Sequence, residues 1–271
     1  MRKFLRPSKM HEAQMEQLTG CRYTVIVHLA KAFEKARPTR GRPPQNGPLV
    51  TIVLALMKLR LNVSLRVMEA LTGIDSVTLS RCVNRSLAFL GAIQFKAPSR
   101  GEVLIVDTTS TRVASTQDKS YSGYKHHKCA KAQIIVTAKG RVVHVSGTHA
   151  GSVHDKTIWN KEIDSIPDLI RHLILADRAY AGAKGEGEGL SRPLKKGETA
   201  YREDPEATKE FNRTLSKTRV KVEHVFARLK SWRALQGLFA WKADRYAEIV
   251  RAVSVLYNLN LEFASLARKL T

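Results

Sequence analysis

β-forming runs occupy only the middle of this chain, and helical periodicity fills both sides of it. EVLIVD (102–107) reads as a buried strand that ends in an acid. The stretch AQIIVTAKGRVVHVSGTHA (132–150) is two β-branched runs joined at Lys139-Gly140, the pattern of a hairpin. HLILADRAY (172–180) is a second short apolar strand that again ends in an acid, and LSRPLKK (190–196) has room for one more. Between the hairpin and the second acidic strand, SVHDKTIWNKEI (152–163) reads as a helix capped by Ser152. A sheet interleaved with and followed by helices is an α/β core.

The flanks are helical. Apolar positions Leu18, Val25, Leu29, Ala32 and Phe33 predict one helix over residues 9–36. The Pro-, Gly- and Arg-rich stretch 36–48 then reads as a basic linker. Residues 49–61 form an apolar helix. Ser64 and Gly73 bound a second, with Ser64 as N-cap and Gly73 as the stop. After the turn at Ile74-Asp75, Ser76 caps a third helix, VTLSRCVNRSLAFL. Helix, glycine-containing turn and helix is the helix-turn-helix pattern, placed at about 62–90. In it Val67, Leu71, Ile74, Leu79 and Val83 are expected to pack inward, leaving Thr78, Arg81, Asn84 and Arg85 outward to read DNA. Composition shifts at 97–101, so the expected division is a helical DNA-binding domain at 1–100 and a catalytic domain at 101–271. Beyond the sheet, residues 205–232 predict one broken helix or two, and 244–269 a long amphipathic one.

Charge narrows the class of partner. Forty-six Lys and Arg against 24 Asp and Glu give a formal +22. The excess is spread: the first hundred residues hold 17 basic and 5 acidic side chains, and the remainder is also strongly basic. Self-repulsion of that size is relieved by a polyanion, which points to nucleic acid. Cys21, Cys82 and Cys129 are odd in number and widely spaced, so no disulfide framework is implied. Cys129 stands near His126 and His127, but no second ligand pair at zinc spacing accompanies it. The basic start, MRKFLRPSKM, is not followed by the apolar core of a signal peptide, and no apolar run approaches a membrane span. A soluble protein of a reducing compartment is expected, with no membrane partner.

Three acids carry the candidate chemistry. Asp107 and Asp177 each follow a buried apolar run, where an α/β sheet presents its ligand-binding edge. Glu223 lies in SKTRVKVEHVFARLKSW, whose Val222, Val225, Phe226 and Leu229 form an amphipathic stripe. Arg219 and Lys230 share a helical face with Glu223, which is a lone acid among basic residues. Three carboxylates suffice to hold two Mg²⁺ ions for phosphodiester chemistry, with Mn²⁺ a ready substitute. His154 and Asp155 in GSVHD are the rivals for a metal role. Asp177 is preferred because Asp155 falls at a helix start, where the dipole favours an acid.

The strings VDTTSTRV, YSGYKHHKCAKAQIIV, GSVHDKTIW, LADRAYAG and FNRTLSKTRVKVEHVFARLKSWR, with Asp107, Asp177 and Glu223 spaced by 70 and 46 residues, resemble bacterial insertion-sequence DDE transposases of the IS-five type. More distantly they are similar to PIF/Harbinger transposases. Three positions depart from the pattern: Ser216 where Tyr is usual, Thr-Thr after the first acid where Gly-Thr is commoner, and Ala before Tyr180 where Gly is commoner. The resemblance implies an RNase H-like, retroviral integrase-like catalytic core beside the N-terminal all-α helix-turn-helix module. It also implies an enzyme that binds terminal inverted repeats, cleaves at the element ends and joins the 3′ hydroxyls to target DNA. Tyr121, Lys125, His126 and Lys128 are then expected to meet DNA near the active site, with Arg219 and Lys230. Handling two ends at once implies a homodimer or larger assembly on double-stranded DNA, in the cytoplasm and on the nucleoid. The alternatives are a domesticated transposase acting as a DNA-binding regulator, and an RNase H-like nuclease without transposition.

Overall fold

The computed structural model describes residues 12–36, 45–114, 120–123 and 125–270. The centre of the expected linker, residues 37–44, and the first three residues of the expected helix at 9–36 lie outside them, as does the basic start. Two compact units are present. One comprises residues 1–94, 229–240 and 248–271, and the other residues 95–228 and 241–247. The C-terminal helix, placed with the catalytic domain on sequence grounds, thus has most of its length in the unit of the N-terminal helices.

The first unit is helical. Where one helix is expected at 9–36, two form: α1 (Glu12–Thr19) and α2 (Tyr23–Lys35). The break is at Gly20, whose φ of +71° is left-handed and costs glycine least. A side chain there would also meet the Trp232 ring at 2.8 Å. Asn260 fixes the corner, donating to Gly20 O at 2.9 Å and accepting from Arg22 N at 3.4 Å.

Helix α3 (Pro48–Leu61) is buried over Thr51–Leu59 and ends in a left-handed Asn62. Helix α4 (Leu65–Thr72) begins as expected at Ser64, which accepts from Val67 N at 3.3 Å, and stops at Gly73 with φ +68°. Helix α5 (Ser76–Ala92) is capped by Asp75 instead of Ser76: the carboxylate accepts from Thr78 N at 2.8 Å. A carboxylate at an N-cap also meets the positive end of the helix, so Asp75 is the stronger cap of the two. Leu79 and Val83 pack inward as expected, but Val67 and Leu71 are 47% and 56% exposed. Met68 is fully buried in their place. The inward phase of α4 is therefore shifted by one residue, about 100° of helix.

The second unit is built on a mixed sheet. Its strands are β1 (Leu104–Arg112), β2 (Tyr121–Ser122), β3 (His127–Thr137), β4 (Val142–Val145), β5 (His149–Ala150), β6 (Ile174–Leu175) and β7 (Leu190–Ser191). The order is β2-β3-β1-β6-β7, with β4 and β5 also on β3. β1 runs antiparallel to β3 and parallel to β6, and β6 is parallel to β7. The expected hairpin is β3–β4, turning at Gly140 with φ +84°. Helix α6 (Asp155–Glu162) follows, with His154 as the N-cap residue; the expected cap at Ser152 falls two residues short of it. Along β1 the residues alternate between faces. Leu104 and Val106 turn toward Ile135, Trp159, Ile163 and Tyr180, all buried in one cluster. Each such side chain contributes roughly 1.5–3 kcal/mol on burial.

Residues 205–230 form one continuous helix, α8, after a short α7 (Thr199–Glu203). Leu215, Val222, Val225 and Leu229 are its buried stripe. The last helix, α9, spans Tyr246–Leu270. Among the described residues no helix is long and apolar enough to cross a membrane.

Candidate active site

Strand β1 carries Asp107 at its centre, not at its end. The strand continues through Thr-Thr-Ser-Thr to Arg112 because β-branched residues suit the pleat and β3 pairs with all nine positions, Asp107 facing Ile134. Parallel pairing sets the second acid. Leu104 lies opposite Ile174 and Ile105 opposite Leu175. Continued by two residues, this register brings Asp177 level with Asp107, on strands about 4.8 Å apart. The chain has left regular strand by then. Asp177 is the N-cap of a 3-10 turn (Arg178–Tyr180) and accepts from Ala179 N at 2.8 Å.

The electrostatics follow from that arrangement. Burial pushes the Asp107 carboxyl up from 3.8 to about 6. The Thr108 N–H, at 2.7 Å from Oδ1, and the Arg219 guanidinium oppose the rise, while Asp177 and Asp155 add to it. Arg219 reaches from α8, with Nη2 3.5 Å from Asp107 Oδ2. Its buried Nε has no hydrogen-bond partner among the described residues. Behind the acids lies a support that sequence reasoning missed. Tyr180 Oη is fully buried, accepts from Gln133 Nε2 at 2.8 Å and stands 3.5 Å from Thr108 Oγ1. Burial holds the Tyr180 hydroxyl well above its usual value, so it stays protonated. Tyr180 was visible only as the last residue of the LADRAY string, and nothing in periodicity separates it from an ordinary core tyrosine.

A family model described as DDE superfamily endonuclease matches residues 104–258, more than half of the chain. The chain belongs to this family. A probable transposase for insertion sequence element IS702 from Microchaete diplosiphon is 26% identical over 171 residues, 61% of this chain and 60% of that protein. A putative transposase for insertion sequence element IS112 from Streptomyces albus G is 27% identical over 207 residues, 74% and 76% of the two chains. This chain thus spans somewhat under two thirds of the first relative and about three quarters of the second. DDE superfamily endonucleases depend on divalent metal, and membership implies an RNase H-like core for the mixed sheet.

Within this chain the expected residues divide. Asp107, Asp177 and Arg219 come together, and Asp155 joins their field. Asp155 is the first residue of α6 and is paired with Lys131 at 3.3 Å. Glu223 stands one helical turn past Arg219 on α8 and is exposed. Among the described residues no three or more His, Cys, Asp or Glu are gathered as a metal site. Glu223 is therefore close by helix geometry, about 6 Å along the axis from the arginine that touches Asp107, without being drawn in. Lys230 is the last residue of α8.

The basic loop before β3 behaves differently. Lys125 hydrogen-bonds Ser110 Oγ. Ser110 is three residues past Asp107, so its side chain belongs to the opposite face of β1. His126 has a left-handed φ of +54° and is exposed, Tyr121 is 46% exposed, and Lys128 is half-buried. On α5, Arg81, Asn84 and Arg85 are exposed and Thr78 is half-buried.

Proposed function

We propose that this protein is a DNA transposase of the insertion-sequence group. It binds terminal inverted repeats, cleaves phosphodiester bonds at the element ends and joins the 3′ hydroxyls to target DNA. The observation that carries the reading is the level pair of Asp107 and Asp177 beside Arg219, in a chain of the endonuclease family.

Asp107, Asp177 and Glu223 are proposed as the metal ligands. The fit is chemical: all are hard oxygen donors, and Asp107 is held up partly by its acidic neighbours, a repulsion that a divalent cation relieves. Two Mg²⁺ ions, or Mn²⁺, supply when bound an activated water and stabilisation of the leaving 3′ oxygen. The protein's own residues do the rest. Tyr180 and Gln133 brace the turn that presents Asp177. Arg219, with a buried Nε that lacks a partner, is suited to a phosphate oxygen; leaving such a donor unpaired costs about 1–3 kcal/mol. Glu223 completes the set by turning inward from α8 when DNA and metal arrive. Asp155 stays with Lys131.

Recognition of the repeats is assigned to α4 and α5 as a helix-turn-helix, with Thr78, Arg81, Asn84 and Arg85 at the base edges. Tyr121, Lys125, His126, Lys128 and Lys230 make phosphate contacts. A homodimer on two element ends, at the nucleoid, completes the reading.

Incubation of the full chain with candidate terminal-repeat duplexes tests it. Cleavage is expected with Mg²⁺ or Mn²⁺ and none in EDTA, while Ca²⁺ supports binding with little cutting. Robust cleavage in EDTA sinks the two-metal assignment. Arg81→Ala with Arg85→Ala is expected to lower the preference for repeat over random DNA by roughly 1–3 kcal/mol per lost base contact. An unchanged preference removes the helix-turn-helix from the assignment.

A further inference from the structure

Helix α8 presents three faces. Leu215, Val222, Val225 and Leu229 are buried, and Arg219 and Glu223 form the edge toward Asp107. On the outer side a row of Arg213, Lys217, Lys221, His224 and Arg228 runs along the helix, every one exposed. At about 100° per residue these five fall within an arc of about 80°, the basic ones at four- and seven-residue steps. No acid interrupts the row: the first turns hold Glu206 and Glu210, and the only later acid in α8 is Glu223, on the other edge. Arg213 approaches Glu210 at 3.9 Å, but both are well exposed, so that pair is weak. Neither Lys217 nor Lys221 has an ion-pair partner among the described residues.

We propose that this outer row of α8 is a second DNA-binding surface, which seats the target duplex rather than the strand being cut. The row runs about 22 Å along the helix axis, with steps of about 6 Å between Arg213, Lys217 and Lys221. Duplex DNA carries a phosphate on each strand about every 3.4 Å of its axis, so the row spans between six and seven base pairs. A helix about 10–12 Å thick separates the row from the Arg219–Glu223 edge. One backbone cannot follow both, so the two faces serve two DNA segments. Joining an element end to a target needs two such segments, both of which reach the carboxylates at the Asp107 edge, one along that edge and the other across the outer row. The inference rests on the transposase reading for the identity of the second duplex, not for its chemistry.

The test uses the full-length protein and the triple variant Arg213→Ala, Lys217→Ala, Lys221→Ala, with Lys217→Arg, Lys221→Arg as the charge-preserving control. Binding to a random-sequence duplex is measured against salt concentration. The triple variant is expected to flatten the log–log slope by nearly three, at about 0.9 per phosphate contact, and the arginine variant to keep it. Joining of pre-cut element ends is then followed against target concentration. Half-saturation is expected to move up at least tenfold in the triple variant, with the rate at saturating target unchanged. An unchanged salt slope overturns the surface. A flattened slope with unchanged half-saturation overturns the target assignment and gives the row to the element's own ends. If the wild-type protein joins no ends under any metal condition, the transposase reading fails, and the salt slope alone decides whether the row binds duplex.

Discussion

Two parts of the candidate site are held by different means. Asp107 and Asp177 are placed by backbone: a nine-residue strand paired along its length, and a parallel neighbour whose register makes the two acids level. Glu223 is placed by a helix, exposed on α8 one turn from Arg219, which is fastened to the sheet. Register cannot drift by fractions of a residue, whereas a glutamate on a helix swings through several rotamers. The difference makes the aspartate pair a fixed half of the site and the glutamate a movable half, which ordering by metal and DNA would complete.

The largest expected effect tests the fixed half. Asp107→Asn and Asp177→Asn each remove a charge without changing shape, and each is expected to lower metal-dependent cleavage by well over a hundredfold. That exceeds what is lost when only a supporting neighbour of a metal ligand is changed, about 10–100-fold. Asp177→Glu is expected to be nearly as damaging, since a longer arm on a fixed backbone overshoots. Cleavage rates within tenfold of wild type in Asp177→Glu would break the distinction between the halves.

The movable half gives a subtler pattern. Glu223→Gln is expected to abolish detectable cleavage while duplex affinity stays equal or rises, because one repulsive charge is gone. Glu223→Asp is expected to retain measurable cleavage, since a helix side chain can adjust. A Glu223→Gln protein that cuts at the wild-type rate ends the catalytic assignment of this residue.

Stability without metal is a third handle. Asp107 ionises at about 6 in the folded chain and at 3.8 when exposed, so the folded state holds the proton more tightly. Between those values the unfolded state binds fewer protons, and stability falls as pH rises from about 4 to above 6, by up to about 3 kcal/mol. Urea unfolding in EDTA is expected to show that fall. Asp107→Asn is expected to remove it and to be the more stable protein at pH 7; a less stable Asp107→Asn contradicts the raised carboxyl. The smallest effect is on binding: Arg219→Ala is expected to flatten the salt dependence of DNA affinity by about one phosphate contact and to leave the metal requirement unchanged.

Residue patterns predicted most of the helices, the hairpin and the two acidic strands because each is written in local periodicity and in turn residues such as Gly73 and Gly140. Features set by distant neighbours were not legible. Nothing local shows that β1 runs five residues past Asp107, since that extension depends on pairing with β3. The break at Gly20 depends on Trp232 and Asn260, more than two hundred residues away. Val67 and Leu71 fit an inward stripe as well as Met68 does, and only packing chooses between phases one residue apart. At the site, the acids were visible as types that follow apolar runs and stand in a basic helix. The contact between Arg219 and Asp107, the Gln133–Tyr180 support and the crossing of Lys125 to the other sheet face are tertiary facts without a local signature.

The parallel register of β1 and β6 also divides the chain into lengths that can change and lengths that cannot. An extra residue near Asp168, exposed between α6 and β6, is absorbed by the loop and leaves both strands where they are. An extra residue between Leu175 and Asp177 moves the second acid by about 3.3 Å and turns its side chain to the other face. Insertions and deletions in this chain therefore meet a cliff across three positions and a plateau a few residues upstream. The 70-residue interval from Asp107 to Asp177 is free to differ in length, and the two paired residues of β6 are what keeps the acids level.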